Sequence, residues 1–225
     1  MEEQEGQGWG RLKQPSNSPR RSGIQDQPGP TERLGPCVLE GTFVRLEPLR
    51  EAHTAALTAA AQKLDWGWFL RPLHTKADVD RRIFDALKAE SEDKAYAFAV
   101  LTKKDNQVIG STSYLQVVAE HKRTEIGSTW YTSDAQGTRV NPESKFLLLR
   151  HAFEDWAAER VQFTTDANNL RSQHAILKLG AKFEGRLRSD KRRADGSMRD
   201  SMIYSILANE WPAVREGLLA RINGP

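Results

Sequence analysis

Apolar side chains recur with a regular period only from Val38 onward. Between residues 44 and 47 apolar and polar residues alternate, which predicts a half-buried strand that ends at Pro48. Further strands are predicted at 96–102, 108–118, 124–131 and 161–165. The turn-forming residues 194–197 predict a hairpin near the end of the chain.

Apolar side chains spaced three and four residues apart predict helices between these strands. An alanine-rich segment predicts a helix at about 50–62. Thr75 and Asp78 form a capping-box pattern, which opens a second helix. The apolar stripe of that helix consists of Val79, Ile83 and Leu87. A last helix is predicted over 211–222, with Trp211, Val214, Leu218 and Ile222 on one side.

The helix with the strongest apolar stripe is predicted over 142–158. Asn141 followed by Pro142 is typical of a helix start, with asparagine as the N-cap and proline in the first turn. The stripe consists of Phe146, Leu149, Phe153 and Trp156. A short helix is predicted before Gly180. Because strands and helices do not alternate strictly, we expect one mixed sheet flanked by helices.

The first 36 residues differ from the rest of the chain. They contain five of the ten prolines and six glycines, with few large apolar side chains. Such a segment buries too little surface to offset the entropy of ordering it. We therefore expect a disordered N-terminal tail over 1–36, and a single folded domain over 37–225.

Composition narrows the classes of function. The net charge of +3 is too small to indicate nucleic-acid binding. Cys37 is the only cysteine, which excludes a disulfide scaffold, and the five histidines have no metal-ligand spacing, so no metal is expected. The sequence has no apolar run of about 18 residues and no signal peptide at its start. We expect a cytoplasmic protein without a membrane partner.

The most informative region is the strand 124–131, the loop that follows it and the helix 142–158. The first amides of a helix lack acceptors within the helix, so a strand, a loop and a helix N-terminus together can bind an anion. The loop contributes Gly137 for close backbone approach and Arg139 for charge. It matches neither a Walker loop nor a dinucleotide fingerprint, and an ordinary strand–helix connection stays open.

A second segment, residues 169–183, resembles the N-x-x-S…K-x-G-F block of the GNAT superfamily of acyl-CoA N-acyltransferases. The segment begins at Asn169, includes Ser172 and ends at Phe183. The continuations 184–188 and 199–206 are similar to the RimJ/RimL branch of this superfamily. The resemblance extends over about 38–210 with the motifs in the family's order.

This resemblance implies an α/β (α+β) protein with the GNAT fold. The expected sheet is mixed but mostly antiparallel, with six to seven strands, and is splayed at the parallel strands 124–131 and 161–165, where acetyl-CoA lies. Gln136 matches the start of the family's pyrophosphate motif, whereas Arg139 and Asn141 occupy its glycine positions, so Arg139 is expected to bond to phosphate directly. Asn169 is also read as a simple N-cap. The residues implied in acetyl-CoA binding are Thr129, Trp130, Tyr131, Gln136, Gly137, Thr138, Arg139, Val140, Asn141, Asn169 and Ser172.

The resemblance also implies catalytic residues. Glu125 lies eleven residues before Gln136, where many members carry their general base; the alternative is an exposed strand glutamate paired with Arg123 or Lys122. The family's usual acid is a tyrosine at the position that Ile176 occupies. Tyr204 is the substitute that we name as a catalytic candidate, and Ser172 and solvent are alternatives.

Two other segments are read in more than one way. The aromatic residues Trp66, Trp68 and Phe69 are either core residues or a wall of the acceptor pocket, and we name them as substrate-binding candidates. The basic segment 182–199 is either a solvated hairpin, a contact for an acidic substrate or a footprint for ribosomal RNA.

The implied activity is that of an N-acetyltransferase. It moves an acetyl group from its co-substrate acetyl-CoA to a primary amine of a small molecule or protein. Cys37 lies far in sequence from the site motifs, so we expect direct attack in a ternary complex. A CoA-binding module without catalysis and a ribosome- or RNA-associated protein that uses 182–199 are the alternatives. The expected partner is a small-molecule or peptide amine, nucleic acid is not expected, and a homodimer is left open.

Overall fold

Eight strands form one sheet in the computed structural model, which describes residues 33–62 and 64–224. They are β1 Leu39–Glu40, β2 Val44–Pro48, β3 Tyr96–Thr102, β4 Val108–Val118, β5 Arg123–Tyr131, β6 Arg160–Asp166, β7 Lys182–Arg192 and β8 Met198–Leu207. Their order across the sheet is β1-β2-β3-β4-β5-β6-β8-β7. Six to seven strands were expected. The eighth is the two-residue β1, which is too short to show a period in the sequence.

The sheet opens between β5 and β6, its one parallel pair. These strands pair at three positions only, from Arg123 opposite Arg160 to Glu125 opposite Gln162. Beyond Glu125, β5 continues to Tyr131 without a partner on the β6 side. The predicted splay is therefore confirmed, and it begins directly after Glu125.

In the described part of the chain, five α-helices cover the two faces of the sheet: α1 Thr54–Ala61, α2 Lys76–Ser91, α3 Val140–Arg150, α4 Leu170–Leu177 and α5 Trp211–Asn223. One face packs against α1 and α2 through a cluster that contains Leu57, Val79 and Ile83. The other face carries the larger core, which includes the buried stripes of α3 and α5. In the part of the chain that the structure describes, no helix has the length and apolarity needed to cross a bilayer.

The start of α2 agrees with the sequence prediction, and the start of α3 differs from it. The capping box is confirmed, because Thr75 Oγ1 accepts the Asp78 amide at 3.2 Å and the Asp78 carboxylate accepts the Thr75 amide at 2.9 Å. The prediction for Asn141 is wrong: α3 begins at Val140, so Asn141 lies inside the first turn. The helix ends at Arg150 and continues as a wider π turn over His151–Asp155.

The folded region extends upstream of the predicted boundary at residue 37. Leu34 is 1% exposed and belongs to the larger core, and its carbonyl oxygen lies 3.4 Å from His151 Nε2. The prediction of a disordered tail concerns residues that lie mostly outside the described part, since 1–32 are not included in it.

Glu143 in the first turn of α3 anchors the loop between β1 and β2. Its carboxylate accepts the backbone amides of Thr42, Phe43 and Val44 at 2.7, 2.7 and 2.8 Å. A Cβ atom at Gly41 would lie 2.5 Å from the Glu143 carboxyl carbon, so this close approach requires glycine. The carboxylate therefore fixes the start of α3 against the edge of the sheet.

Glu143→Ala is expected to destabilise the fold by at least about 3 kcal/mol. The substitution removes the acceptor of three amides, and hydrogen bonds to a charged group contribute about 1.5–3 kcal/mol each. Urea unfolding measures the loss, with Glu120→Ala as a control at an exposed glutamate. A loss below about 1 kcal/mol would show that water replaces the carboxylate at this loop.

Candidate active site

Glu125 is a buried carboxylate at the point where the sheet opens. The residue is 5% exposed, and one of its oxygens, Oε2, accepts Thr164 Oγ1 at 3.0 Å and Gln162 Nε2 at 3.1 Å. Among the described residues Glu125 has no ion pair, and Lys122 donates instead to the Trp156 carbonyl. The alternative of an exposed, salt-bridged glutamate is wrong.

The second oxygen of Glu125 is available for chemistry. Within residues 33–62 and 64–224, Oε1 receives no hydrogen bond. It faces Gly127, where an added Cβ would lie 3.1 Å away. Hydroxyl and amide donors thus hold one oxygen in place and leave the other one free to accept a proton.

The loop before α3 presents backbone amides that have no acceptor among the described residues. Gly137 has φ +77°, and the amides of Gly137, Thr138 and Arg139 have no acceptor in the part that the structure covers. These amides lie directly before the first turn of α3, where the helix dipole is positive. Such free amides are the donors that a phosphate group requires, and phosphate binding at this loop stays a prediction.

Two arginines lie at this loop, and they have different surroundings. Arg139 donates to the Gly224 carbonyl, and its guanidinium lies 5.3 Å from the centre of the Phe43 ring. Arg171 on α4 reaches across to the loop and donates to Gln136 Oε1 at 2.7 Å. Phosphate binding by Arg139 stays a prediction. The sequence reasoning missed Arg171, although it lies two residues after the motif asparagine.

Asn169 is the N-cap of α4, since its Oδ1 accepts the Ser172 amide at 3.0 Å. The Ser172 hydroxyl has no partner among the described residues. Thr129 Oγ1 contacts Thr112 and Lys145, while the side chains at 130 and 131 pack into the two cores. Only the backbone of 129–131 thus faces the gap between β5 and β6.

Tyr204 is not placed beside Glu125. It pairs with Phe163 on β6, whereas Glu125 bonds to Gln162 and Thr164, so the two candidates lie on opposite faces of the sheet. The Tyr204 hydroxyl donates to a glutamine oxygen on α4 at 3.1 Å, and burial raises its pKa. The expected base and acid are therefore not assembled on one face.

The aromatic segment is divided between core and surface. Trp66 is 4% exposed, donates to the Ala61 carbonyl and makes edge contacts with Trp130 and Phe69. Trp68 is 44% exposed. Trp66 and Phe69 therefore pack the α1–α2 side of the sheet, and Trp68 is the one of the three free to contact a ligand.

Cys37 belongs to a different region. Its sulfur lies 3.4 Å from His151 Nε2, and His151 Nδ1 lies 2.8 Å from Asp155 Oδ2. Burial, with a contribution from Asp155, raises the pKa of Cys37 to about 11. Its thiol therefore stays protonated near neutral pH and is a poor nucleophile.

The basic hairpin is partly neutralised by its own ion pairs. Lys182 pairs with Glu210, and Arg186 pairs with Asp200. Its Arg193 binds both oxygens of a β6 aspartate, Asp166, at 2.7 and 3.0 Å. Less positive charge is left for a polyanion than the sequence count indicates.

Comparison with known proteins finds a family that matches this chain. The family described as Acetyltransferase (GNAT) domain matches residues 44–182. A curated relative, the "Probable N-acetyltransferase YjcK" of Bacillus subtilis (strain 168), is 24% identical over 127 residues, which is 56% of this chain and 70% of the relative.

Solved structures agree with that match. An acetyltransferase candidate from T. thermophilus is 36% identical with a TM-score of 0.73, over 88% of this chain and 100% of the other. Mycobacterium smegmatis RimJ in complex with CoA-disulfide is 20% identical with a TM-score of 0.69, over 83% of this chain and 95% of RimJ. At that identity the similarity to RimJ concerns the fold alone.

Proposed function

The chain belongs to the GNAT acetyltransferase family, and from this we propose that it transfers the acetyl group of acetyl-CoA to a primary amine, with Glu125 as the general base. The observation that carries the proposal is the Glu125 carboxylate. It is buried where β5 and β6 separate, with one oxygen held and the other free. That position borders the gap between the two strands, which is the place that the family assigns to the acetyl group.

Acetyl-CoA would be held by the loop before α3. The free amides of residues 137–139 and the N-terminus of α3 suit its diphosphate, and Arg171 offers a charged donor at the same loop. The backbone of 129–131, which has no strand partner on the β6 side, and the Ser172 hydroxyl suit its amide-containing arm. When bound, acetyl-CoA supplies an activated acyl thioester.

The amine acceptor reaches the site as an ammonium ion and has to lose a proton before it can attack. Glu125 Oε1 accepts this proton, while Thr164 and Gln162 keep Oε2 in place. The nitrogen lone pair then forms the C–N bond, the C–S bond breaks with its electron pair leaving on sulfur, and the nitrogen loses its second proton to solvent. Since Ile176 replaces the family's tyrosine, solvent supplies the proton to the thiolate.

We also propose membership of the RimJ/RimL branch. This finer assignment is supported by the motifs at 184–188 and 199–206 and by the shared fold of RimJ. A CoA-binding protein without turnover is the second candidate, since Arg139, Asn141 and Ile176 depart from the family pattern. Thioester cleavage in the presence of amines separates the two.

Acetyl-CoA is expected to raise the melting temperature. A ligand at 100 times its Kd adds about 2.7 kcal/mol to the free energy of unfolding. Differential scanning calorimetry with acetyl-CoA and with acetyl-pantetheine, which lacks the diphosphate, measures the contribution of the anion site. Equal melting temperatures with and without millimolar acetyl-CoA would contradict the proposal.

Single substitutions show which arginine bonds to the phosphate of CoA. Arg171→Ala and Arg139→Ala are compared in CoA titrations, with the exposed Arg188→Ala as the matched control. The arginine that bonds to phosphate is expected to lose about 10- to 100-fold in affinity on substitution. Unchanged affinity in both variants would leave the backbone amides as the sole phosphate ligands.

A further inference from the structure

Arg82 on α2 is a half-buried arginine that forms no ion pair among the described residues. Its Nη2 donates to Ser113 Oγ at 3.0 Å. Asp85, whose charge acts on Arg82, is itself bonded to Arg71 at 2.9 Å. Burial lowers the pKa of Arg82. By contrast, Arg50 on the same side of the sheet binds both oxygens of a glutamate on α2.

Arg199 on β8 is a second such arginine. It is 7% exposed, and its Nε and Nη2 both donate to Ser201 Oγ at 3.1 Å. No carboxylate of residues 33–62 or 64–224 forms an ion pair with it. Asp166, the strongest opposite charge acting on Arg199, has both oxygens bound to Arg193.

These two arginines flank Glu125 on one face of the sheet. Ser113, the partner of Arg82, pairs across strands with Gly127, where an added Cβ would lie 3.1 Å from the free oxygen of Glu125. On the other side, Arg199 donates to Ser201, and Ser201 pairs across strands with Asp166. Asp166 lies two residues beyond Thr164, whose hydroxyl donates to Glu125. The charge of Glu125 acts on Arg199. Glu125 therefore shares one face of the sheet with two arginines that form no ion pair among the described residues.

A buried guanidinium without an anion is costly, because water no longer solvates its charge. Its planar donors match the oxygens of a carboxylate or phosphate. We propose that the acceptor amine also carries an anionic group, a carboxylate or a phosphate, which pairs with Arg82 while its amine contacts Glu125. Arg199 lies on β8, on the side of Glu125 away from Arg82. This inference rests on the proposed acetyl transfer.

Arg82 donates to Ser113, and Ser113 lies opposite Gly127, two residues beyond Glu125 on β5. The simplest acceptors that carry both an amine and an anionic group are amino acids and aminoalkyl phosphates.

Matched amines test the proposal in the full-length enzyme. The probes are the L-amino acids against their carboxamides, and O-phosphoethanolamine against ethanolamine, with release of free thiol as the readout. Arg82→Gln is expected to raise KM for the anionic amines about 10- to 100-fold, with kcat within about twofold. KM for the neutral amines should not change. Because wild type and variant are compared for each amine, differences in amine basicity cancel.

Three further variants complete the design. Arg81→Gln, at an exposed arginine of the same helix, is the control and should leave both KM values unchanged. Arg82→Lys keeps the charge and should recover part of the selectivity, which also covers the case in which Arg82→Gln folds poorly. Arg199→Gln should reduce the preference for anionic amines as well.

The possible results distinguish a wrong acceptor class from a wrong activity. Turnover of neutral and anionic amines with equal KM, or an equal loss for both in Arg82→Gln, would overturn the anionic acceptor and leave acetyl transfer intact. Binding of acetyl-CoA without acetylation of any amine would overturn the proposed function and this inference with it. A carboxylate-only or phosphate-only preference supports the inference and identifies the group.

Discussion

Glu125→Gln is expected to lower kcat by about 10²–10⁴ while the affinity for acetyl-CoA stays at the wild-type value. Glutamine keeps the shape of the side chain and can still contact Thr164 and Gln162, but it cannot accept a proton at neutral pH. The loss therefore falls on the chemical step. Steady-state kinetics with a thiol readout and a CoA titration measure the two quantities separately.

The size of this defect depends on pH and on the amine. As the pH rises, more of the acceptor is already neutral, so Glu125→Gln should approach the wild-type rate. An α-amine with a pKa of about 8 reaches this condition near pH 8, whereas a lysine amine with a pKa of about 10.4 stays charged. A strong requirement for Glu125 above about pH 8 would indicate an acceptor of high basicity.

Two other variants are compared with Glu125→Gln in the same kinetic experiment. Glu159→Gln removes an exposed carboxylate at the start of β6 and should have no effect on kcat. Thr164→Val removes one donor to Oε2 and should lower kcat less than Glu125→Gln does. Wild-type turnover of Glu125→Gln across about pH 6–9 would exclude this residue as the base and favour proton transfer through water.

Lys145→Met is expected to stabilise the fold by several kcal/mol near pH 7. Lys145 on α3 is fully buried, with Thr112 and Thr129 as its partners and no acid, and burial lowers its pKa to about 7. Relative to a normal lysine pKa of 10.5, this corresponds to about 5 kcal/mol as an upper value. Thr112 and Thr129 also bond to each other, so their hydroxyls keep a partner in the variant.

The stabilisation should depend on pH in one direction. Between pH 7 and 10.5 the unfolded chain keeps the proton on Lys145 and the folded chain releases it, so wild-type stability rises with pH. Below about pH 7 both states are protonated and the cost is at its maximum. The advantage of Lys145→Met is thus largest at neutral pH and falls by about 1 kcal/mol per unit toward about pH 10.

Urea unfolding of both proteins at about pH 7, 8 and 9 measures this difference. Lys88→Met on α2 is the control, because that lysine is exposed. Its stability difference from wild type should be small and constant over the same range. A parallel pH dependence of wild type and Lys145→Met would show that water or a rearranged neighbour solvates the ammonium group.

Local signals in the sequence were sufficient for most of the secondary structure. The strands predicted at 96–102 and 108–118 have these bounds in the structure, because apolar and β-branched residues between polar turns specify a strand locally. The caps at Thr75 and Asn169 are likewise confirmed, since a cap involves residues within one turn. The motif at 169–183 led to the family.

Other features depend on contacts between distant segments. Helix α3 begins before Asn141 because Glu143 is fixed by the amides of 42–44, about a hundred residues away. Leu34 belongs to the core because it packs below α3, which no local period shows. Which face a strand residue occupies relative to another strand depends on register, so only the structure separates Tyr204 from Glu125.

In the candidate site, too, the sequence identifies some residues and only the tertiary structure identifies the others. From the chain alone Glu125 could be recognised as a glutamate at a family position, and the loop 136–141 could be predicted to bind phosphate. The donors that hold its Oε2 come from Gln162 and Thr164, 37 and 39 residues away. Arg82 and Arg199 are ordinary arginines in the sequence. They differ from the paired arginines because Arg199 is buried and Arg82 half-buried with no ion pair among the described residues, and burial is a property of the tertiary structure.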